Sequence, residues 1–214
     1  MRPSVLSVVD DYQCQFEGRI PWMYLDVKSL VTVGVGNLID PVARAVDLPF
    51  RKPDGALATP AEIYTEWHTV KASDTAAKGA GACRDITTLR LTRPDIDALV
   101  ENAARSFECE LTGLFPQWET WPANAQLGML GVAWAVGVGK IKSGFSKFVA
   151  ACKRMDWATA AQECLVNSLG NPGVVPRNRF NRNLFLWAAE GGNPEVVSDW
   201  KTPPVKPDIE GAFI

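Results

Sequence analysis

The chain has 214 residues, of which 47% are apolar, and a net charge of −2. That apolar content suffices for the core of one domain, or of two lobes sharing a core, and the near-balanced charge gives no sign of a nucleic-acid partner. No apolar run approaches the roughly 20 residues that cross a bilayer, so membrane insertion is not expected.

Ser4 to Glu17 reads as one helix, with Val5, Val8, Val9, Tyr12 and Phe16 at helical spacing and Ser4 as its cap. Gly18 is a natural left-handed stop, which puts Glu17 in the last turn. The run Val5–Val9 stops at Asp10-Asp11, so no secretion signal is expected there. Trp22 to Gly36 reads as a hairpin: Met23-Tyr24-Leu25 and Leu30 to Val33 are strand-like, with a turn near residues 27–29 and Asp26 at the turn end of the first strand. Residues 40–92 carry Pro41, Pro49, Pro53, Gly55 and Pro60. They read as a helix over Ala61–Val70 among loops, with a lid or a substrate-binding insertion as candidate roles. A long helix starts at Thr92-Arg93-Pro94-Asp95 and runs to about Leu111. Helices over Ala123–Ala135, Ser143–Met155, Asp156–Ser168 and Pro176–Ala189 follow. The tail from Gly191, with Pro194, Pro203, Pro204 and Pro207, is expected to run extended over the surface. The order predicts an α+β fold with its β structure confined to one lobe.

Candidate chemistry begins with two acids nine residues apart, Glu17 and Asp26, and with Thr32 six residues further on. Hydrolysis of a glycosidic bond needs one carboxyl group that stays protonated and one that stays ionised. A helix end and a hairpin offer unlike environments. The negative end of the helix dipole, together with partial burial, is expected to favour the protonated form of Glu17; two solvated surface acids are the plain alternative. Gly34 and Gly36 lack the continuation of a phosphate loop and fit close approach of the backbone to a sugar. His68 and Cys83 have no supporting motif for thiol catalysis, and neither a metal nor an organic cofactor is expected. The cysteines Cys14, Cys109, Cys152 and Cys164 sit in helical patterns and read as inert thiols, with a disulfide through Cys83 left open. Trp22 is a candidate for stacking on a sugar. Arg179 and Arg182 fit contact with substrate carboxylates or acetamido groups, or pairing with the acidic half of the chain. Residues 1–119 hold 12 Lys/Arg against 17 Asp/Glu, whereas residues 120–186 hold 8 against 2.

The segments Glu17-Gly18, Tyr24-x-Asp26 and Thr32-Val33-Gly34-Val35-Gly36 resemble the N-terminal signature of the phage-type lysozymes, glycoside hydrolase family 24, with both spacings matched. Trp134 to Gly139, Asp156-Trp157-x-x-Ala160-Ala161 and Arg179-Phe180-Asn181-Arg182 are similar to later segments of that family. Asn37, Ser29 and Ala135 depart from it, standing where a His, a turn Gly and an Asn or Gln are usual.

The resemblance implies a lysozyme-like fold: a small β-hairpin lobe (about 18–92) and a larger helical lobe (about 93–190, with the N-terminal helix), joined by a long helix, with a cleft between them. Residues 1–190 would form the domain and 191–214 a Pro-rich tail. It implies a muramidase that cuts the β-1,4 bond between N-acetylmuramic acid and N-acetylglucosamine in peptidoglycan. Glu17 would be the general acid, Asp26 would activate water or stabilise developing charge, and Thr32 would position that water. Tyr24, Gly36, Asn37, Trp22, Arg179 and Arg182 would bind substrate. A monomer is expected, made in the cytoplasm and acting on the wall in the periplasm. It would be either an endolysin released through a holin pore or a secreted antibacterial effector paired with an immunity protein. A wall-binding module without catalysis and a lytic transglycosylase are the rival readings.

Overall fold

The computed structural model describes residues 1–169 and 173–201. It is mixed α+β, with two compact units: Val9–Arg105, and Met1–Val8 together with Ser106–Ile214. Among the described residues no helix is long and apolar enough to cross a membrane.

In the unit Val9–Arg105, α2 (Val9–Glu17) leads into a three-stranded antiparallel sheet of β1 (Ile20–Leu25), β2 (Val31–Gly34) and β3 (Asn37–Leu38), in that order. The register pairs Tyr24 with Thr32 and Leu25 with Val31, then Thr32 with Leu38 and Val33 with Asn37. The expected hairpin therefore carries a third strand. Met23, Leu25, Val31, Val33, Val35 and Ile39 are buried, and α3 (Pro60–Lys71) packs on β1 and β2. Thr59 and Glu62 form a reciprocal capping box at the start of α3, with Pro60 in its first turn.

The segment between residues 40 and 92 is stitched down at several points. Trp67 Nε1 donates to the Ile39 carbonyl at 2.9 Å. Lys71 Nζ reaches Asp40 at 2.6 Å and the Ser29 carbonyl at 2.8 Å. Buried Glu66 accepts from the Thr88 and Leu89 backbone N–H groups at 2.6 and 3.1 Å, and Leu91 N–H bonds to the Pro21 carbonyl.

The division between units falls within α4 (Arg93–Leu114). Thr92 and Asp95 bond reciprocally at its start. In the other unit α5 (Ala123–Val136) is buried over most of its length and packs chiefly on α9 (Val174–Glu190), which also carries α8 (Trp157–Glu163). Gly128 permits the α5–α9 approach: a Cβ there would lie 3.0 Å from Phe185. Trp118, Trp121, Trp157, Phe148 and Phe185 form a continuous aromatic core.

Three expected helices are interrupted. The one over residues 4–17 is two: α1 (Pro3–Leu6) starts at Pro3, with Arg2 as its N-cap and Ser7 as its C-cap. The Ser7 hydroxyl donates back to the Ser4 carbonyl at 2.9 Å, a local bond that competes with helix continuation. Ser4 is no cap, since its hydroxyl bonds to the Glu195 carbonyl. The second, over residues 143–155, breaks at Phe145 (φ −120°, ψ 50°) between α6 (Val138–Gly144) and α7 (Ser146–Lys153). The third ends at Glu163, not at Ser168. Asn178 of α9 takes both backbone groups of Val166, at 2.9 and 2.7 Å, in place of helical partners.

The tail is anchored as far as Trp200, which is buried. Ala123 N–H bonds to the Pro194 carbonyl, and Asn124 exchanges two hydrogen bonds with Ser198. Pro203, Pro204 and Pro207 lie outside the described residues. All five cysteines are free thiols, so Cys83 forms no disulfide; Cys83, Cys152 and Cys164 are buried.

Candidate active site

Glu17 is the last residue of α2. Gly18 follows with φ +72°, its N–H bonded to the Cys14 carbonyl at 2.8 Å, so the left-handed stop read from sequence sets the exit of the chain. The terminal carbonyls of α2 make the surroundings of Glu17 electronegative. Glu17 is exposed, which corrects the expected partial burial: it is the last residue of α2, and the chain turns away at Gly18. Glu17 lies against the turn after β2. At Gly36 (φ +73°) a Cβ would lie 3.2 Å from Glu17 Oε2 and 3.4 Å from its Cδ. The backbone approaches the carboxyl group that closely because residue 36 has no side chain.

Tyr24 and Thr32 are cross-strand partners, so they share one face of the sheet, and Asp26 follows two residues after Tyr24 on the same alternation. Asp26 Oδ1 accepts from the N–H groups of Lys28 and Leu30, both at 2.8 Å, which builds the hairpin turn. Asp26 Oδ2 has no hydrogen-bond partner among the described residues and is available to a ligand or water. The buried Thr32 hydroxyl donates to the Leu30 carbonyl at 3.2 Å, leaving its oxygen as an acceptor. Burial pushes the Tyr24 phenol well above its ordinary range, and the Glu17 and Asp26 carboxylates push it the same way. Tyr24 thus keeps its proton at neutral pH and is a hydrogen-bond donor. The turn tip keeps a left-handed residue, here Ser29 at φ +59°.

Glu17, Tyr24, Asp26, Thr32 and Gly36 line one open cleft of about 260 Å³, together with Lys28, Leu30 and Leu38. Sequence reasoning missed these last three. Parity could have found Leu38, which is an even-numbered strand residue like Tyr24 and Thr32; Lys28 and Leu30 lie in the hairpin turn, outside the strands. Two larger cavities hold none of the expected residues. One, about 550 Å³, lies along α3 beside Glu66, whose carboxylate accepts from the Thr88 and Leu89 backbone N–H groups and from the Thr88 hydroxyl. The other, about 480 Å³, lies beside α6 and α7. Convergence of two carboxyl groups, a hydroxyl and a phenol, and not volume, singles out the smaller cleft.

The remaining expected residues lie elsewhere. The Asn37 amide is spent on the fold: Oδ1 accepts from Val35 N–H at 3.1 Å and Nδ2 donates to the Leu99 carbonyl at 3.4 Å. Trp22 does not line the cleft. Its Nε1 donates to the Ala80 carbonyl at 2.8 Å, and its ring lies under the Arg84 and Arg90 guanidinium groups. Arg179, exposed, and Arg182, half-buried, belong to α9 in the other unit, as does Ala135 at the end of α5. His68 is exposed on α3, against the Tyr64 and Trp67 rings. No protein-family profile and no curated protein matches the chain, so the functional reading rests on this geometry and on the sequence motifs.

Proposed function

We propose that the protein is a peptidoglycan hydrolase of the lysozyme type, cutting the glycan between N-acetylmuramic acid and N-acetylglucosamine. The observation that carries the reading is the meeting in one cleft of Glu17, Asp26 and Thr32, the three residues to which the family resemblance assigns catalytic roles. In this reading Glu17, at the negative end of α2, donates its proton to the departing glycosidic oxygen. Asp26 keeps Oδ1 on the turn and uses Oδ2 to orient the attacking water. The Thr32 oxygen accepts a second hydrogen bond from that water, and the Tyr24 phenol donates to the sugar or to a carboxylate. The lysozyme-like arrangement of lobes, and delivery to the wall as an endolysin or as an effector with an immunity protein, belong to the same proposal.

The test is incubation of purified sacculi with the protein and with Glu17→Gln. The wild type is expected to release new reducing ends and the variant to release at least about a hundredfold fewer. A second reading, a wall-binding module, is favoured by one observation: the turn hydrogen bonds of Asp26 explain that residue without any chemistry. Sacculi that bind the wild type and yield no reducing ends would establish that reading instead. Fragments ending in 1,6-anhydro sugars would mark a lytic transglycosylase.

A further inference from the structure

Four lysines lie between Val9 and Arg105. Three are in ion pairs: Lys52 with Glu62 at 3.7 Å, Lys71 with Asp40 at 2.6 Å and Lys78 with Asp74 at 2.8 Å. Lys28 is the exception. It lines the cleft together with Glu17 and Asp26, yet its ammonium group makes no ion pair with either of them or with any other described residue. Its backbone is nonetheless fixed, because its N–H is one of the two held by Asp26 Oδ1 at 2.8 Å. The side chain therefore leaves a hydrogen-bonded turn as an exposed cation lining the cleft. Among the described residues it is the one cation lining the cleft.

In the hydrolase reading Asp26 is the ionised carboxylate of the cleft, and it repels an anionic polymer. A rim cation that Asp26 does not tie down lowers that barrier and can seat an anion of the substrate. We propose that Lys28 is a specificity-determining residue that binds a carboxylate of the glycan substrate, so that the cleft selects carboxylate-bearing strands over neutral ones. This inference rests on the hydrolase reading of the same cleft. Peptidoglycan has two sources of such a carboxylate: the lactyl group of muramic acid, once its peptide has been removed, and the acidic residues of the stem peptide.

The experiment uses the full chain at low ionic strength and three forms of sacculi. One is native. One is stripped of its peptides by an amidase, so that only lactyl carboxylates remain. One has all carboxylates amidated with carbodiimide and methylamine. The rate of reducing-end release is measured well below saturation, as kcat/KM. The wild type is expected to prefer the native or the stripped form over the amidated one by about threefold, the scale of one solvent-exposed ion pair. Whichever of the two retains that preference identifies the source. Lys28→Gln should bring the ratio to about one, Lys28→Arg should restore it, and added salt should erode it in the wild type. A Lys28→Gln protein that keeps the wild-type ratio overturns the proposal. The same three substrates are also used in equilibrium pull-down with Glu17→Gln protein, with and without Lys28→Gln. A wild type that releases no reducing ends refutes the hydrolase reading, and the pull-down ratios still decide the role of Lys28.

Discussion

Gly36 offers a perturbation whose effects on stability and on chemistry can be separated. Its φ of +73° is left-handed, and a Cβ would sit 3.2 Å from Glu17 Oε2. Gly36→Ala therefore does two things. Left-handed backbone costs a residue with a Cβ about 1–2 kcal/mol, offset by about 0.5 kcal/mol of lost unfolded-state entropy. The net of about 1 kcal/mol lowers Tm by about 2–4 °C in a chain of this size. The new methyl group also displaces the Glu17 carboxyl by a few tenths of an ångström or turns it away. Because Glu17 is exposed, yielding costs it little stability, but a misplaced acid costs rate, about 10- to 100-fold in kcat. Gly55→Ala is the control: φ is +84° and nothing lies within 4 Å of the added Cβ, so it carries the strain and leaves Glu17 alone. Calorimetry should show similar drops in Tm for the two variants. Reducing-end release at 25 °C, where both remain folded, should fall only for Gly36→Ala. Wild-type kcat in Gly36→Ala, or parallel losses in both variants, would refute the idea that residue 36 holds the acid in place.

Ser29→Gly should raise Tm by about 1–3 °C in calorimetry, because it relieves a left-handed serine at φ +59° at the cost of a more flexible unfolded chain. Lys71 hydrogen-bonds Asp40 and holds its carboxyl below the usual carboxylate range, so the stabilisation is complete above the ordinary carboxylate pKa of about 3.9 and is lost as pH falls through the lowered value. Urea melts should accordingly show Asp40→Asn less stable than wild type at pH 7, with the gap closing in acid; a gap independent of pH would refute the assignment. Burial pushes the Cys164 thiol up to about 12 and raises that of Cys152 as well. An aromatic disulfide reagent at pH 8 should therefore label exposed Cys109 first and half-buried Cys14 more slowly, reaching Cys83, Cys152 and Cys164 only after unfolding.

Where the signal was local, the sequence was readable. The stop at Gly18, the starts at Pro60 and at Thr92-Pro94, and the placing of Asp26 at a turn all follow from backbone rules that act within four residues. The misses share a different cause. β3 has two residues, too short to show any periodicity, and exists because Leu38 and Asn37 pair with β2. The helix expected to Ser168 stops at Glu163 because Asn178, twelve residues beyond Val166, supplies competing hydrogen bonds. The family resemblance implied a cleft role for Asn37, but its amide instead ties the turn to the Leu99 carbonyl of α4. Each miss turns on a tertiary partner that no window along the chain contains.

The orientation of the candidate site follows from residues that take no part in it. Along the hairpin the odd-numbered Met23, Leu25, Val31, Val33 and Val35, with Ile39 after β3, are at most 3% exposed. Tyr24, Asp26, Lys28, Leu30, Thr32, Gly36 and Leu38 line the cleft. A slip of one residue in register would exchange the two sets. Each of the six apolar side chains would forfeit roughly 1.5–3 kcal/mol of burial, which together is comparable to the whole stability of a typical domain. The polar bonds at the turn then refine what the core has fixed. Asp26 Oδ1 holds Lys28 and Leu30, and the Leu30 carbonyl holds the Thr32 hydroxyl. Core burial chooses the face, the Asp26 turn chooses the position, and the missing side chain of Gly36 admits Glu17 from α2. Paired acids could meet in this cleft only because an alternating apolar pattern, with no chemistry of its own, leaves the fold a single register.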